Sequence, residues 1–481
     1  MKTKSFVYST DGRTFQFSTG LDANVDVGGY VRLETEDGFS LLGQVLDANL
    51  NGIGTNKMSL MGSGEIRSQI DGQKLIKAPA TPFLSGTLSH VAPSIVSSYF
   101  SQSLGEKAGL QIGHLKRNGD EQPATLQAAG FGRHTLVCGQ SGSGKTYSLG
   151  VILERLLLET DLRIAVLDPN SDYVNLDKFA GGDRLSESRN EADLAQRYKD
   201  AVARVSIHGA REEQKPLRSR FGRLPLEQQA LVLDLDPIKD VHEFNVFSRV
   251  IKAMPDTEYS LTDVRLKADA LSEDGAKRLS MRIENLNVED LQIWAPDGEP
   301  AMLDLIPKDW RGIVLDLGSL PSSNERSMMA ASAVSAFWQS RHNRQPTLLV
   351  IDEAHNVCPQ TPTDRFQAMA AEELPAIAGE GRKFGLYLLL VTQRPQKLHV
   401  NVLSQCENIL LMRMNSTSDI DHLASVFSHV PASLVEQAST FGLGEGLAAG
   451  RIAADPMLFK TGARYSKEGG SDIPSTWADK K

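Results

Sequence analysis

The sequence predicts an α/β protein in which a parallel sheet is covered by helices on both faces and preceded by a small β-barrel. Three observations point that way. Short segments alternating apolar and polar residues fill positions 1–115. From about residue 131, near-continuous apolar runs of strand length alternate with amphipathic helical patterns, as expected of strands buried on both faces. A glycine-rich turn, 139–146, joins the first of those runs to the first of those helices.

The barrel is read from Ser5–Tyr8, Thr14–Ser18, Tyr30–Thr35 and Ser40–Leu46, which lie between Asp-Gly and Gly-Gly turns. Short strands at even spacing suit a closed sheet. Residues 111–131 read as a polar connector. Arg133–Gly139 is then a short apolar strand, and Tyr147–Leu158 places Leu149, Ile152, Leu156 and Leu157 at helical spacing. Arg163–Asp168, Gly312–Leu317, Leu348–Asp352, Leu386–Thr392 and Glu407–Met414 are further buried strands, and Arg326–Gln339 is an amphipathic helix among them. Between 206 and 299 the alternation stops. Leu226–Leu233, Val241–Ala253, Leu261–Leu271 and Ala276–Leu286 read as helices, with no convincing strand, and suggest a helical insertion. The expected domains are a barrel at 1–115, a first core segment at 116–205, the insertion at 206–299, a second core segment at 300–455 and an extended arm at 456–481.

The 481 residues leave room for several domains, and 41% hydrophobic with 23% charged residues is an ordinary globular composition. No apolar run approaches the roughly 20 residues that span a bilayer, and the N-terminus lacks the apolar region of a secretory signal. Cys138, Cys358 and Cys406 lie far apart without a CxxC pair, which argues against a zinc site and a disulfide framework. A cytoplasmic location, without a membrane partner, is expected. The net charge of −9 is wrong for a chain that coats nucleic acid with its outer surface, so any such contact would be confined to local basic loops, such as those lining a channel.

Gly139-Gln140-Ser141-Gly142-Ser143-Gly144-Lys145-Thr146 fulfils G-x-x-x-x-G-K-[ST] at every position. Glycines let the backbone turn so that successive N–H groups converge on a phosphate chain, and the following helix adds the positive end of its dipole. In this pattern Lys145 reaches the outer phosphates of ATP and the Thr146 hydroxyl binds Mg²⁺. The run Leu348–Ile351 ends in Asp352-Glu353-Ala354-His355. Asp352 is placed to hold Mg²⁺ through water, and Glu353 to orient and polarise an attacking water, a general-base role worth about 10²–10⁴-fold. His355 is open to a structural or a coupling role. Leu386–Val391 delivers Thr392-Gln393-Arg394-Pro395 to a strand end, where Gln393 is either a γ-phosphate sensor or part of an ordinary polar turn. Arg382, in Gly379-Glu-Gly-Arg-Lys-Phe-Gly385, lies at the end of a helix starting near Pro375. It is either a partner of that helix's dipole or an arginine finger reaching a neighbour's ATP.

With these motifs in place, the chain resembles the HerA-type hexameric DNA translocases, relatives of FtsK with a RecA-like P-loop core. The resemblance covers nearly the whole length. It rests on the β-rich N-terminus, GQSGSGKT, LDPNSDY at 167–173, LVIDEAH at 349–355, EGRKFG, VTQRP, the helical insertion and the tail EGGSDIPSTW at 468–477. It implies a homo-hexameric ring around double-stranded DNA, ATP between subunits, and a barrel that docks a nuclease or other effector. It makes Arg133 a cis-acting phosphate contact, Asp168 the acid near the Mg²⁺ water network, and Arg382 the trans-acting finger. Asp172 stands where the family often has Glu, which keeps the charge. Cys358–Phe366, with Arg365, is read as either a pore loop or a plain surface loop.

The expected function is an ATP-hydrolysing ring motor on double-stranded DNA, serving DNA-end processing or antiviral defence. An ATP-dependent scaffold that regulates an effector is the alternative. A transport or conjugation ATPase is a third reading. An ABC-type ATPase is disfavoured by the lack of an LSGGQ-like signature.

Overall fold

The computed structural model describes residues 5–470 apart from 24, 52–57, 73, 117–121 and 182–190. Two compact units emerge, Met1–Thr160 with Glu407–Arg464, and Asp161–Cys406 with Tyr465–Lys481. Part of the expected C-terminal arm, 471–481, lies outside the described residues.

The first unit opens with β1 (Phe6–Ser9), β2 (Thr14–Thr19), β3 (Tyr30–Thr35), β4 (Ser40–Asn51), β5 (Ser59–Asp71), β6 (Lys74–Ile76) and β7 (Phe83–His90). The order β2-β1-β7-β3-β4-β5 is closed by antiparallel pairing of β2 with β5, which makes a six-stranded barrel with β6 appended to β5. Alternation is what permits closure, since inward positions such as Val7, Phe15, Phe17, Leu33 and Val45 form the core while their neighbours face outward. Phe15 packs where the opposite strands carry no side chain: a Cβ on Gly64 would lie 2.4 Å from its ring and 2.2 Å from the Gln44 carbonyl oxygen.

The same unit continues with α1 (Pro93–Leu104), β8 (Gly109–Leu115), β9 (Pro123–Gln127), β10 (Thr135–Cys138) and α2 (Lys145–Glu159). β10 pairs in parallel with Asn408–Met412, and Glu445–Ala449, Met457–Thr461, β8 and β9 follow in antiparallel sequence. Two sequence expectations are corrected here. The segment read as a polar connector contains the β8–β9 hairpin, whose alternation is interrupted by a register shift between Gln111 and Gly113. The arm expected after residue 456 begins as a strand, because Met457–Phe459 find partners in Leu447 and in β8 and are buried.

The second unit holds β11 (Arg163–Asp168), α3 (Glu191–Val202), β12 (Val205–Gly209), β13 (Lys215–Pro216), α4 (Leu226–Val232), α5 (Val241–Lys252), α6 (Leu261–Asp269), α7 (Asp274–Leu286), β14 (Gly312–Asp316), α8 (Ser323–Gln339), β15 (Thr347–Ile351), α9 (Ala354–Val357), α10 (Arg365–Glu380) and β16 (Leu386–Thr392). Its strands are all parallel, in the order β13-β12-β14-β11-β15-β16. The four helices expected in the insertion are α4–α7. The absence of a strand there is corrected by β12, which pairs with β14. Ser206 and His208 disguise it, but their side chains satisfy one another at 3.0 Å, and burial lowers the His208 pKa to about 4 so that the ring stays neutral. Ser322 and Glu325 form a reciprocal capping box that starts α8. Among the described residues no helix is long and apolar enough to cross a membrane.

Phe15→Ala should cost about 3–5 kcal/mol in urea denaturation, the usual range for emptying a buried phenylalanine site. A loss below about 1 kcal/mol would show that the barrel is not packed around this ring.

Candidate functional site

The glycine-rich turn leaves β10 and enters α2. Gly142 and Gly144 take φ of 71° and 90°, which side-chain-bearing residues adopt at a cost. The loop's outward-facing groups are tied to the protein. Gln140 N–H donates to the Arg413 carbonyl at 3.0 Å, Arg413 Nη2 donates to the Gly142 carbonyl at 3.0 Å, and Gly444 N–H donates to the Ser143 carbonyl at 2.9 Å. Gly144 caps α2 without a side-chain acceptor, so the first-turn N–H groups have no N-cap oxygen to serve. The buried Ser143 hydroxyl has no hydrogen-bond partner, and Lys145 is buried at the helix start. A Cβ on Gly139 would press to 2.8 Å from Ser143 Oγ. An unpartnered buried hydroxyl, a buried lysine and a helix start without a side-chain cap fit a phosphate chain. Ser141 is exposed, and Gln140 and Thr146 are half-buried.

Arg133, to which the resemblance assigns a cis-acting phosphate contact, lies at the opposite end of β10 from the loop. It precedes β10, whereas the phosphate loop follows it, and β10 with its flanks separates the two by about 20 Å at 3.3 Å per residue. Its Nε lies instead 3.5 Å from Glu407.

In the second unit, parallel pairing aligns the strand ends, with Asp168 opposite Asp316 and Ile351 opposite Leu390. Asp168, fully buried, accepts from the N–H groups of Asp172 at 2.9 Å and Tyr173 at 2.8 Å. The turn supplying those groups is fixed by Ser171, whose hydroxyl donates to Asp316 at 2.7 Å and accepts from Arg211 at 2.8 Å. Carboxylate oxygens of Asp168, Asp172 and Asp352 lie within 4.8 Å of one another. Burial pushes the Asp168 pKa up to about 7 against the pull of its two backbone hydrogen bonds, and the charges of Asp352 and Asp172 add to the rise. Three converging carboxylates fit a hard divalent cation. The sequence marks Asp172 only as a charge-preserving change. Its place in the cluster is set by the turn, for which 167–173 carries no spacing signal.

Glu353, next to Asp352, adopts left-handed backbone angles of φ 47° and ψ 44°, a strained conformation for a side-chain-bearing residue. Its N–H donates to Asp352 Oδ1 at 2.8 Å. His355 Nδ1 lies 3.0 Å from Thr392 Oγ1 and 3.3 Å from Glu353 Oε2. Gln393 follows Thr392 directly and is half-buried at this strand edge. Arg382 is elsewhere. It is exposed on the short 3₁₀ turn Gly381–Phe384 that precedes β16, so the seven-residue strand holds it about 23 Å from Gln393. Pro375, expected to start a helix, lies inside α10. Arg365 opens that helix behind the Asp364 cap and is half-buried, 4.9 Å from the Phe366 ring, so it is not on an extended loop. Sequence reasoning missed Arg413, whose only signal is that it is the first charged residue after an apolar strand.

Fold and motifs together define a P-loop ATPase of the RecA-like class. Residues 110–333 match the family described as "Helicase HerA, central domain". Over 93% of its length the chain is 23% identical to the DNA double-strand break repair helicase HerA of Pyrococcus furiosus, covering 89% of that protein. It is 24% identical over 94% of its length to the protein of the same name from Sulfurisphaera tokodaii, covering 91% of it. VirB4 of Thermoanaerobacter pseudethanolicus superimposes with a TM-score of 0.52 over 75% of this chain and 98% of its own, at 15% identity, a likeness of fold alone. The HerA resemblance read from the sequence is borne out.

The raised pKa of Asp168 has a consequence for stability. Between the ordinary carboxylate value of 3.8 and about 7, the folded chain binds a proton that the unfolded chain has released, so the contribution of this group to stability falls as pH rises through that window. In a chelator, Asp168→Asn should flatten the decline in urea midpoint between pH 5 and 7.5. An unchanged slope would place the titration elsewhere.

Proposed function

We propose that the chain hydrolyses ATP with Mg²⁺ and couples the energy to movement along double-stranded DNA as a homo-oligomeric ring, six-membered by analogy with the HerA-type motors. The observation that carries the ATPase reading is the phosphate loop, with its complete motif, left-handed glycines, buried Lys145 and uncapped helix start. In this reading the backbone of 139–146 and Lys145 bind the triphosphate, and Thr146 and Asp352 hold the magnesium ion, which neutralises phosphate charge when bound. Asp168 shapes the hydration around it. Glu353 draws the attacking water's proton, and Gln393 senses the outer phosphate.

Arg382 completes the reading. Its distance from its own Gln393 supports a reading in which the guanidinium serves a neighbouring subunit as a finger rather than acting at its own acidic edge. The domain limits follow the expected scheme, except that 109–115, 123–127, 205–209 and 457–461 belong to the sheets. A nuclease or other effector docked on the barrel, a cytoplasmic location, and a task in DNA-end processing or antiviral defence complete the proposal. The net charge of −9 favours one competing reading, a nucleotide-dependent scaffold that activates its effector without moving on DNA.

Lys145→Ala should lose ATP turnover with its fold intact, and Glu353→Gln should retain ATP but lower turnover by about 10²-fold or more. Duplex DNA should stimulate the wild-type protein, and its binding should weaken steeply with salt. Equal hydrolysis with and without duplex across a salt series removes the motor and leaves the scaffold. Arg382→Ala should be inactive alone and regain turnover when mixed with Lys145→Ala, because such rings contain interfaces with one intact loop and one intact finger. No recovery in mixed rings assigns Arg382 to its own subunit.

A further inference from the structure

We infer that His355 is a positioning residue that sets the placement of the Glu353 carboxylate and ties it to the Thr392–Arg394 turn at the end of β16. The inference rests on the proposed role of Glu353 and names what controls it.

Three contacts carry it. His355 Nδ1 is 3.3 Å from Glu353 Oε2 and 3.0 Å from Thr392 Oγ1, and Thr392 Oγ1 accepts from the Arg394 N–H at 2.9 Å. The imidazole and the threonine are both buried. A carboxylate offers only acceptors, so an unprotonated Nδ1 would aim its lone pair at an anion. The tautomer with its hydrogen on Nδ1 is the one that suits this carboxylate. That hydrogen can be shared between the Glu353 carboxylate and a lone pair of the Thr392 hydroxyl. Moving Thr392 toward the ring draws the hydrogen away from the carboxylate, and moving it away returns the hydrogen.

Glu353 is well suited to such control. Its backbone is in the left-handed region and its N–H is bound to Asp352, which fixes the chain while the carboxylate lies beside the imidazole. Thr392 is adjacent to Gln393, the proposed phosphate sensor. A shift of Gln393 on phosphate loss is thereby passed through one hydroxyl and one imidazole to the carboxylate.

The experiment uses the full-length protein and measures kcat and KM for ATP, with nucleotide binding and thermal unfolding alongside. Thr392→Val removes the hydroxyl while keeping the shape, and Thr392→Ser keeps the hydroxyl. His355→Ala removes the donor, and His355→Asn retains an N–H near the Nδ1 position. The expected result is that Thr392→Val and His355→Ala each lower kcat about tenfold or more. KM should stay within about twofold, Thr392→Ser and His355→Asn should recover most of the rate, and the double variant should be no slower than the slower single. Wild-type kcat in Thr392→Val overturns the inference, and so do single effects that multiply in the double. If His355→Ala fails to fold, Thr392→Val decides, since it alters one buried oxygen. Glu353→Gln separates the two levels. Wild-type turnover in that variant removes the reading of the site itself. An inactive Glu353→Gln beside a fully active Thr392→Val removes only the role of His355.

Discussion

The second unit depends on the parallel register of β11, β14, β15 and β16. Strands in such a sheet are covered on both faces, so their interiors must be apolar. Ile164–Leu167, Leu348–Ile351 and Leu388–Val391 are accordingly all but inaccessible to solvent. Polarity can begin only where a strand ends, and parallel pairing makes every strand end on the same edge. Asp168, Asp316, Asp352 and Thr392 are each a last strand residue or the one after it. Their neighbourhood is thus a product of core packing, and the chemistry of the edge is inherited from the requirement that the strands be buried.

That edge runs against ordinary stability. Asp168 is a desolvated carboxylate, and desolvation disfavours its charge. Two backbone N–H groups and the neighbouring turn offset part of this at Asp168, but its pKa still stands near 7. Glu353 adds a left-handed backbone, and Ser171, in the turn that serves Asp168, has a φ of 63°. Unfavourable features of two kinds within one cluster are retained only where the surrounding sheet over-determines them. The barrel's core, by contrast, combines apolar side chains with alternating strands and shows no comparable conflict.

Much of this was legible in the sequence, and the reason differs by element. The barrel strands and the buried runs at 163–168, 348–352 and 386–392 announce themselves because their environment repeats from residue to residue. The phosphate loop is legible because its chemistry fixes residue types at consecutive positions. β8 and Met457–Thr461 were missed because each is made a strand by a partner distant in sequence, as in the pairing of Phe459 with Leu115, and β9 is in turn carried by β8. β12 was missed because two polar side chains satisfy each other within it. In the site, Asp172 and Arg413 were overlooked because their roles depend on the course of a turn.

The same point about strands bears on Arg382. Read as a string, 379–395 brings an arginine and a glutamine within a dozen residues, as though both served one reaction centre. Folded, β16 is a rigid, buried spacer between them, and α10 and the 3₁₀ turn hold Arg382 at its far end. An arginine side chain reaches only a fraction of that length. The sheet that gathers the acids at one edge therefore sends this cation to the other, where its charge is exposed. A group so placed lies a whole strand away from the carboxylates that β11, β15 and β16 gather at the opposite edge.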